Sequence, residues 1–295
     1  MKSMIRAAKM EDKERIVEIS SKIWGGFDYI PNVFDKWINE SGEFSVLLID
    51  DIIVAFAKLT KLREDELWLE GIRVDSDLKG RGYGKIIADY QIKLAKKLGF
   101  KTLELGTFVE NVESLSIIKK RGFEKIISFK FYEIDFANYD IKFIKLIDIK
   151  GEINIVKDLN YIDQILQSSS LKEQLNYLTF DWTFIQVDYK LLKKMIDLKA
   201  LYVYEYDGKT NLFIYTDYMG KSNNRFLSYI ENSYGLDDIL TYTIRKCIDE
   251  DIDSFSYMSK AKEELKKELE FKKFITYTDL EVDAYVYRYK EQSDD

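Results

Sequence analysis

Seven consecutive residues, Lys79-Gly-Arg-Gly-Tyr-Gly-Lys85, restrict what this chain can fold into more than any other stretch of it. They follow a strand-like run, Leu67 to Val74, and open a helical one, Ile86 to Leu98. Glycine lets a backbone turn through left-handed conformations and approach a ligand closely. A helix that starts there directs unpaired N–H groups and the positive end of its dipole at whatever lies in front of it. Gly80, Gly82 and Gly84 alternate with Lys79, Arg81 and Lys85, three cations in a chain of formal net charge −7. The combination describes a diphosphate site; the alternative is a solvated turn that only caps a helix.

Spacing narrows the choice of diphosphate. A Walker A loop requires four residues before its Gly-Lys pair and then Ser or Thr, whereas Gly80 and Gly84 are separated by three and Ile86 follows Lys85. A dinucleotide fingerprint requires glycine where Lys85 stands, and a lysine there would obstruct close packing of helix on strand.

The flanking sequence supplies the rest of an α/β unit. Asp12 to Trp24 and the run opened by Pro31 read as short helices, and the second carries Phe34 and Trp37 at core spacing. Phe44 to Asp50 and Ile52 to Thr60 read as a hairpin turning at Asp50-Asp51. In the helix after the loop, Ile87, Tyr90, Leu94 and Leu98 form the expected apolar stripe. Lys101 to Thr107 is expected as a strand, Ser114 to Lys120 as a helix ended by Gly122, and Phe123 to Phe136 as aromatic strand. Ile141 to Ile147 alternates as a strand would. At 295 residues the chain suits two domains of about 150 each, divided here as 1–140 and 141–295.

A faint internal similarity supports that division. Setting Tyr90 on Tyr242 (242 − 90 = 152) places Ile87 on Ile239, Leu103 on Phe255 and Leu105 on Tyr257. Opposite the glycine loop stands Glu231-Asn-Ser-Tyr-Gly-Leu-Asp-Asp238, without its basic residues and with one glycine. The second half is therefore expected to bind no coenzyme of its own and to serve as pocket wall or dimer surface. Cys247, on an apolar helical face, is expected in its core.

The loop, read as Lys79-Gly-Arg-Gly82-Tyr-Gly84, resembles the Arg/Gln-x-x-Gly-x-Gly signature of the GNAT superfamily of N-acetyltransferases. Leu69-Glu-Gly-Ile-Arg-Val-Asp75 looks like that family's bulged strand before the loop. Asn111-Val-Glu-Ser114 with Lys120-Arg-Gly-Phe123 is similar to its next motif, and Ile5-Arg-Ala-Ala to its first strand. The resemblance spans about Ile5 to Asp135. It implies an α/β (α+β) fold, a mixed twisted sheet flanked by helices, followed by a second, degenerate GNAT-like domain. It also implies acetyl-CoA as cofactor. Amides around Gly80, Arg81, Gly82, Tyr83, Gly84 and Lys85 would hold the diphosphate, with Lys79 in the usual Arg or Gln position. Ile72, Arg73 and Val74 would meet the pantetheine and thioester, with Asn111 and Ser114 on the far side.

Acetyl transfer to an amine needs a neutral nitrogen. At pH 7 that costs about 1.4 kcal/mol for an α-amino group and about 5 kcal/mol for a lysine, so a base helps either way. Glu70, on the strand feeding the loop, is the candidate; a structural ion pair is its alternative role. The family's usual thiolate-protonating tyrosine is replaced by Ile118, which cannot donate a proton. Tyr132 and Tyr29 are conceivable substitutes, and the acid stays unassigned. Asp28 and Tyr29, in the aromatic segment Trp24 to Trp37, are the candidate acceptor-binding residues. That segment and Phe180-Asp-Trp-Thr-Phe184 also look like the branch containing histidine N-acetyltransferases, so a small-molecule primary amine such as a free amino acid is the expected acceptor. Peptide or protein amines, or a non-catalytic acyl-CoA-binding module, are the alternatives.

Composition removes other classes. With no histidine and a single cysteine the chain can form neither a Cys/His zinc cluster nor an imidazole triad, and no metal is expected. Its acidity disfavours nucleic acid and anionic lipid. No apolar run reaches the roughly 18 residues of a membrane span, so a cytoplasmic protein, possibly dimeric, is expected.

Overall fold

The computed structural model describes residues 2–260 and 263–291. The chain folds as two compact units, Met1–Ile126 with Val286–Asp295, and Ile127–Tyr285. The sequence division at 140/141 differs from this in two ways: the boundary falls earlier, and the last strand returns to the first unit.

The first unit runs β1 (Ser3–Ala7), α1 (Lys13–Ser21), α2 (Ile30–Asn39), β2 (Gly42–Ile49), β3 (Ile52–Arg63), β4 (Glu66–Val74), α3 (Tyr83–Lys97), β5 (Thr102–Phe108), α4 (Val112–Ile118) and the first residues of β6 (Phe123–Asp135). Strands β1 to β5 lie in sequence order; the first four are antiparallel and β5 is parallel to β4. The C-terminal strand, entering this unit at Val286, lies on the other side of β5. Asp50 and Asp51 both take positive φ (46° and 65°), the conformation a two-residue hairpin turn demands.

Each face of this sheet has its own core. On one side α1 and α2 bury Ile16, Ile19, Val33, Phe34 and Trp37 against Phe44 and Phe56. On the other, Tyr83 and Ile87 of α3 pack on Leu47, Ala55 and Ala57. The buried stripe of α3 is Ile87, Ala88, Gln91, Ile92 and Ala95, rotated from the one expected; Leu98 is 56% exposed and the Tyr90 hydroxyl donates to Glu43 at 2.9 Å. Two alanines let the helix backbone approach the sheet, and Gln91 Nε2 donates to the Ala57 carbonyl at 3.2 Å. An apolarity count undervalues both contributions.

The second unit contains the rest of β6, α5 (Ile141–Lys145), β7 (Glu152–Ile155), α6 (Asn160–Gln167), α7 (Ser169–Glu173), β8 (Tyr177–Phe180), β9 (Thr183–Gln186), α8 (Tyr189–Asp197), β10 (Leu201–Tyr206), β11 (Lys209–Thr216), β12 (Asn224–Ile230), α9 (Leu236–Asp249), β13 (Ser254–Ser259), α10 (Glu263–Phe271), β14 (Ile275–Thr276) and the start of β15 (Ala284–Tyr289). Strands β10, β11 and β12 are antiparallel, and α9 crosses from β12 to a parallel β13. That repeats the order of β2, β3, β4, α3 and β5. The first residues of β5 and β13 are separated by the offset found in the sequence (254 − 102 = 152).

One expected strand is a helix. Within Ile141 to Ile147, residues Ile141–Lys145 form α5 because Asp140 caps it, accepting from the Lys142 and Phe143 N–H groups, while the Arg245 guanidinium donates to the Ile144 and Ile147 carbonyls at and just past its end. Phe180 to Phe184 is a hairpin turning at Asp181 (φ 53°), and Cys247 is fully buried.

Candidate active site

The site begins with an irregularity in β4. Arg73 pairs with Phe56 but Glu70 pairs with Lys58, so three residues of β4 span what two of β3 do. The extra residue is a bulge in which Gly71 takes φ 65°. A Cβ at Gly71 would lie 2.5 Å from Cη2 of Trp37, so both conformation and space require glycine. The bulge changes the phase of the strand. Glu70 and Arg73, which regular alternation would put on opposite faces, both project toward α1 and α2.

Glu70 is 9% exposed and accepts from the Thr60 hydroxyl at 2.7 Å. Across from it Lys58 is fully buried and donates to the Trp37 carbonyl at 3.1 Å, with Glu40 at 3.8 Å. Burial pushes the Lys58 ammonium below its ordinary range, and the carboxylates of Glu40 and Glu70 partly offset this. Sequence reasoning missed Lys58. The signal was there: it is the one cation within the otherwise apolar run Ile52 to Leu59.

Arg73 turns away from the loop. Its Nε and Nη2 donate to the two oxygens of Asp28, each at 2.9 Å, and it lies over the rings of Trp24 and Tyr29. Burial works against its charge, but the Asp28 carboxylate outweighs this and holds the guanidinium above its ordinary pKa. The structure thus gathers Asp28, Tyr29 and Arg73 in one cluster with Trp24, though Arg73 was expected beside the coenzyme. Phe34 and Trp37 lie in the core, as their spacing indicates.

After β4 the chain is anchored before it turns. Asp75 caps the short turn Ser76–Leu78 by accepting from the Asp77 N–H, and Arg15 of α1 pairs with it. Burial raises the Asp75 pKa, but the Asp77 amide and the Arg15 guanidinium more than reverse this, leaving it below the usual carboxylate range. The glycine loop follows. Gly80 (φ 80°) and Gly82 (φ 82°) are both left-handed, and Gly82 is the N-cap of α3. A Cβ on either would meet no atom within 4 Å, so the loop has open space in front of it. At Gly84 a Cβ would instead lie 3.1 Å from Ile117 and 3.4 Å from Val74, which shows how closely α3, α4 and the end of β4 converge.

Amides of the first turn of α3, Tyr83 and Gly84 among them, have no preceding turn to bond to. Arg81 and Lys85 are exposed beside them; Lys79 pairs with Glu113 of α4 at 2.9 Å. The Asn111 side chain caps α4 by accepting from the Ser114 N–H at 3.0 Å, so these two residues are joined to each other. Left-handed glycines facing open space, free helix-start amides and exposed cations fit the diphosphate of coenzyme A. Ile118 is fully buried, and Tyr132 belongs to the core of the second unit. Among the described residues no cluster of Asp, Glu or Cys could hold a metal ion, and no helix is long and apolar enough to cross a membrane.

The matching loop of the second unit is filled from within. Gly235 (φ 68°) caps α9 as Gly82 caps α3, but the Tyr204 ring packs against it. In the first turn of α9, Asp238 accepts from the amides of Lys150 and Gly151 at 2.9 and 3.0 Å and from the Tyr204 hydroxyl at 2.8 Å, and Asp237 pairs with Lys272. Two carboxylates stand where an anion would have to sit.

Comparison with known proteins agrees with this geometry. Residues 13–123 match the Acetyltransferase (GNAT) family. A histidine N-acetyltransferase of Xenopus tropicalis is 34% identical over 91 residues, covering 30% of this chain and 28% of that protein. An N-acetyltransferase of Bacillus subtilis (strain 168) is 32% identical over 92 residues, covering 31% of this chain and 59% of its own. The chain thus spans well under two thirds of the length of these relatives. Over nearly its full length it is similar in fold to a GCN5-related N-acetyltransferase of Sphaerobacter thermophilus (TM-score 0.64, 9% identity, 97% of this chain and 95% of that one). It is also similar to the glucosamine N-acetyltransferase region of a fungal multi-domain β-N-acetylglucosaminidase (TM-score 0.62, 11% identity, 97% of this chain and 38% of that one). The bulged strand and the glycine loop both fall within residues 13–123, and it is this stretch, rather than the chain as a whole, that is a GNAT acetyltransferase domain.

Proposed function

We propose that the chain transfers an acetyl group from acetyl-CoA to the primary amine of a small molecule, a free amino acid being the acceptor class that the histidine N-acetyltransferase likeness favours. The observation that carries this reading is the left-handed pair Gly80 and Gly82 facing open space at the start of α3, directly after a bulged strand that carries a buried carboxylate. Amides from Gly80 to Gly84 would hold the diphosphate, with the exposed Lys85 side chain beside them because its own N–H donates to the Gly82 carbonyl at 3.0 Å, and the backbone of Ile72 to Val74 would hold the pantetheine arm. Acetyl-CoA supplies the activated acyl group. The chain's own part is to orient the amine and accept its proton, and we assign the second task to Glu70, the buried carboxylate of the bulged strand. The amine attacks directly, because Cys247 is buried and no histidine exists to form an acyl-enzyme.

Glu70→Gln is the test. It should lower kcat about 10²-fold, most at low pH where more amine must lose a proton, and leave acetyl-CoA affinity within about twofold. An equal loss of coenzyme affinity would make Glu70 structural. A second reading, a non-catalytic acyl-CoA-binding module, is favoured by Ile118, an apolar buried residue at the position of the usual acid. Tight acetyl-CoA binding with no thiol release on any amine of a broad panel would select it.

A further inference from the structure

Arg73 is an almost fully buried guanidinium committed to a loop. Its side chain is 11% exposed and that of Asp28 1%. Besides the two bonds to Asp28 it donates from Nη1 to the Ile72 carbonyl at 3.1 Å, and its guanidinium carbon lies 4.4 Å from the Trp24 ring centre and 5.6 Å from that of Tyr29. The loop itself is strained and its aromatic tips face solvent. Trp24, Gly25 and Gly26 all take positive φ (48°, 67° and 96°), and Trp24 and Phe27 are 58% and 89% exposed. A second fastening lies just after it, where Trp37 packs on Gly71 and meets Tyr29 edge-on at 6.0 Å. The stretch from Trp24 through α2 is therefore tied to β4 at Arg73, by the loop, and at Gly71, by Trp37 of α2, two residues apart across the bulge.

From these contacts we infer that Arg73 is a positioning residue for the acceptor: its two-point pair with Asp28 holds Trp24 to Tyr29 beside the bulge, on the face that carries Glu70, and so sets the surface the amine meets. This rests on the acetyltransferase reading above, and it separates the Arg73 side chain, though not its backbone, from the coenzyme. A planar fork is needed for such a pair, which a lysine cannot supply.

The experiment uses Arg73→Lys, Asp28→Asn and the double variant Arg73→Met/Asp28→Asn, the last because it leaves no lone buried charge. Steady-state kinetics with the best amine are combined with amide hydrogen exchange over residues 22–30, which reads the fastening without turnover. The inference expects the amine KM to rise about tenfold or more in each, kcat and acetyl-CoA KM to stay within about twofold, exchange in 22–30 to quicken, and the double variant to be no worse than the singles. Weaker acetyl-CoA binding with an unchanged amine KM would overturn it and return Arg73 to the coenzyme. Lower thermal stability with both KM values unchanged would overturn it as well. If the wild type acetylates no amine while Arg73→Lys quickens exchange, the acetyltransferase reading fails and the acceptor role with it, and only the fastening stands.

Discussion

Glu70 and Arg73 stand three residues apart on one strand, yet both project to the face of the sheet that α1 and α2 cover. A regular strand would separate them. The one residue that makes the difference, Gly71, is fixed twice over, by a φ of 65° and by the Trp37 ring where its Cβ would be. The proposed base and the proposed acceptor-side clamp can therefore share a face while the chain continues into the glycine loop.

Gly71→Ala should consequently be among the most damaging small substitutions in the first unit. Left-handed strain and overpacking against Trp37 together cost about 3 kcal/mol. Denaturant unfolding should show a loss of that order, and residual activity should fall further than stability alone accounts for, because relaxing the bulge re-aims Glu70.

Acid should weaken the first unit in a defined window. Asp12, paired with Arg6 at 2.7 and 2.8 Å, and Asp75 both sit below the usual carboxylate range when folded; for each, burial acts upward and the hydrogen-bonding partners overcome it. A lowered folded value means the stabilisation is present above the unfolded pKa, about 4, and disappears as pH falls through the folded one. Asp75→Asn should cost about 2 kcal/mol at pH 7, and the gap from wild type should close as the pH is taken down toward 2. A gap independent of pH would mean that charge is not what Asp75 contributes.

How far the sequence was legible follows from the range of the interactions. The glycine loop, the Asp50-Asp51 turn and the α3 crossover are local backbone requirements, and each is written in adjacent residues. The offset of 152 also holds in the structure, where β13 starts 152 residues after β5 (254 − 102 = 152). What a local reading could not reach was any pairing across the fold. Arg73 belongs to Asp28, 45 residues earlier, and Lys58 to the carbonyl of Trp37 on a helix 21 residues before it. Ile141 to Ile147 misled because seven alternating residues fit a strand, while the Asp140 cap and Arg245, about 100 residues away, decide for a helix.

The lone thiol should be inert. Burial pushes the Cys247 pKa up to about 12, against the Tyr215 hydroxyl 3.2 Å from its sulfur, which pulls it the other way. At pH 8 a thiol reagent should label native protein at least 10²-fold more slowly than denatured protein, and acetyl transfer should be unaffected by the reagent over the same period. Fast native labelling would place the sulfur at an accessible surface.

The most direct measurement is calorimetric titration of coenzyme A into the wild type and Gly82→Val. The account predicts that valine, strained at φ 82° and carrying its side chain into the space before the first turn of α3, weakens binding about 100-fold or more while the protein stays folded. An unchanged dissociation constant in the folded variant would contradict it, because the coenzyme would then lie somewhere other than this turn.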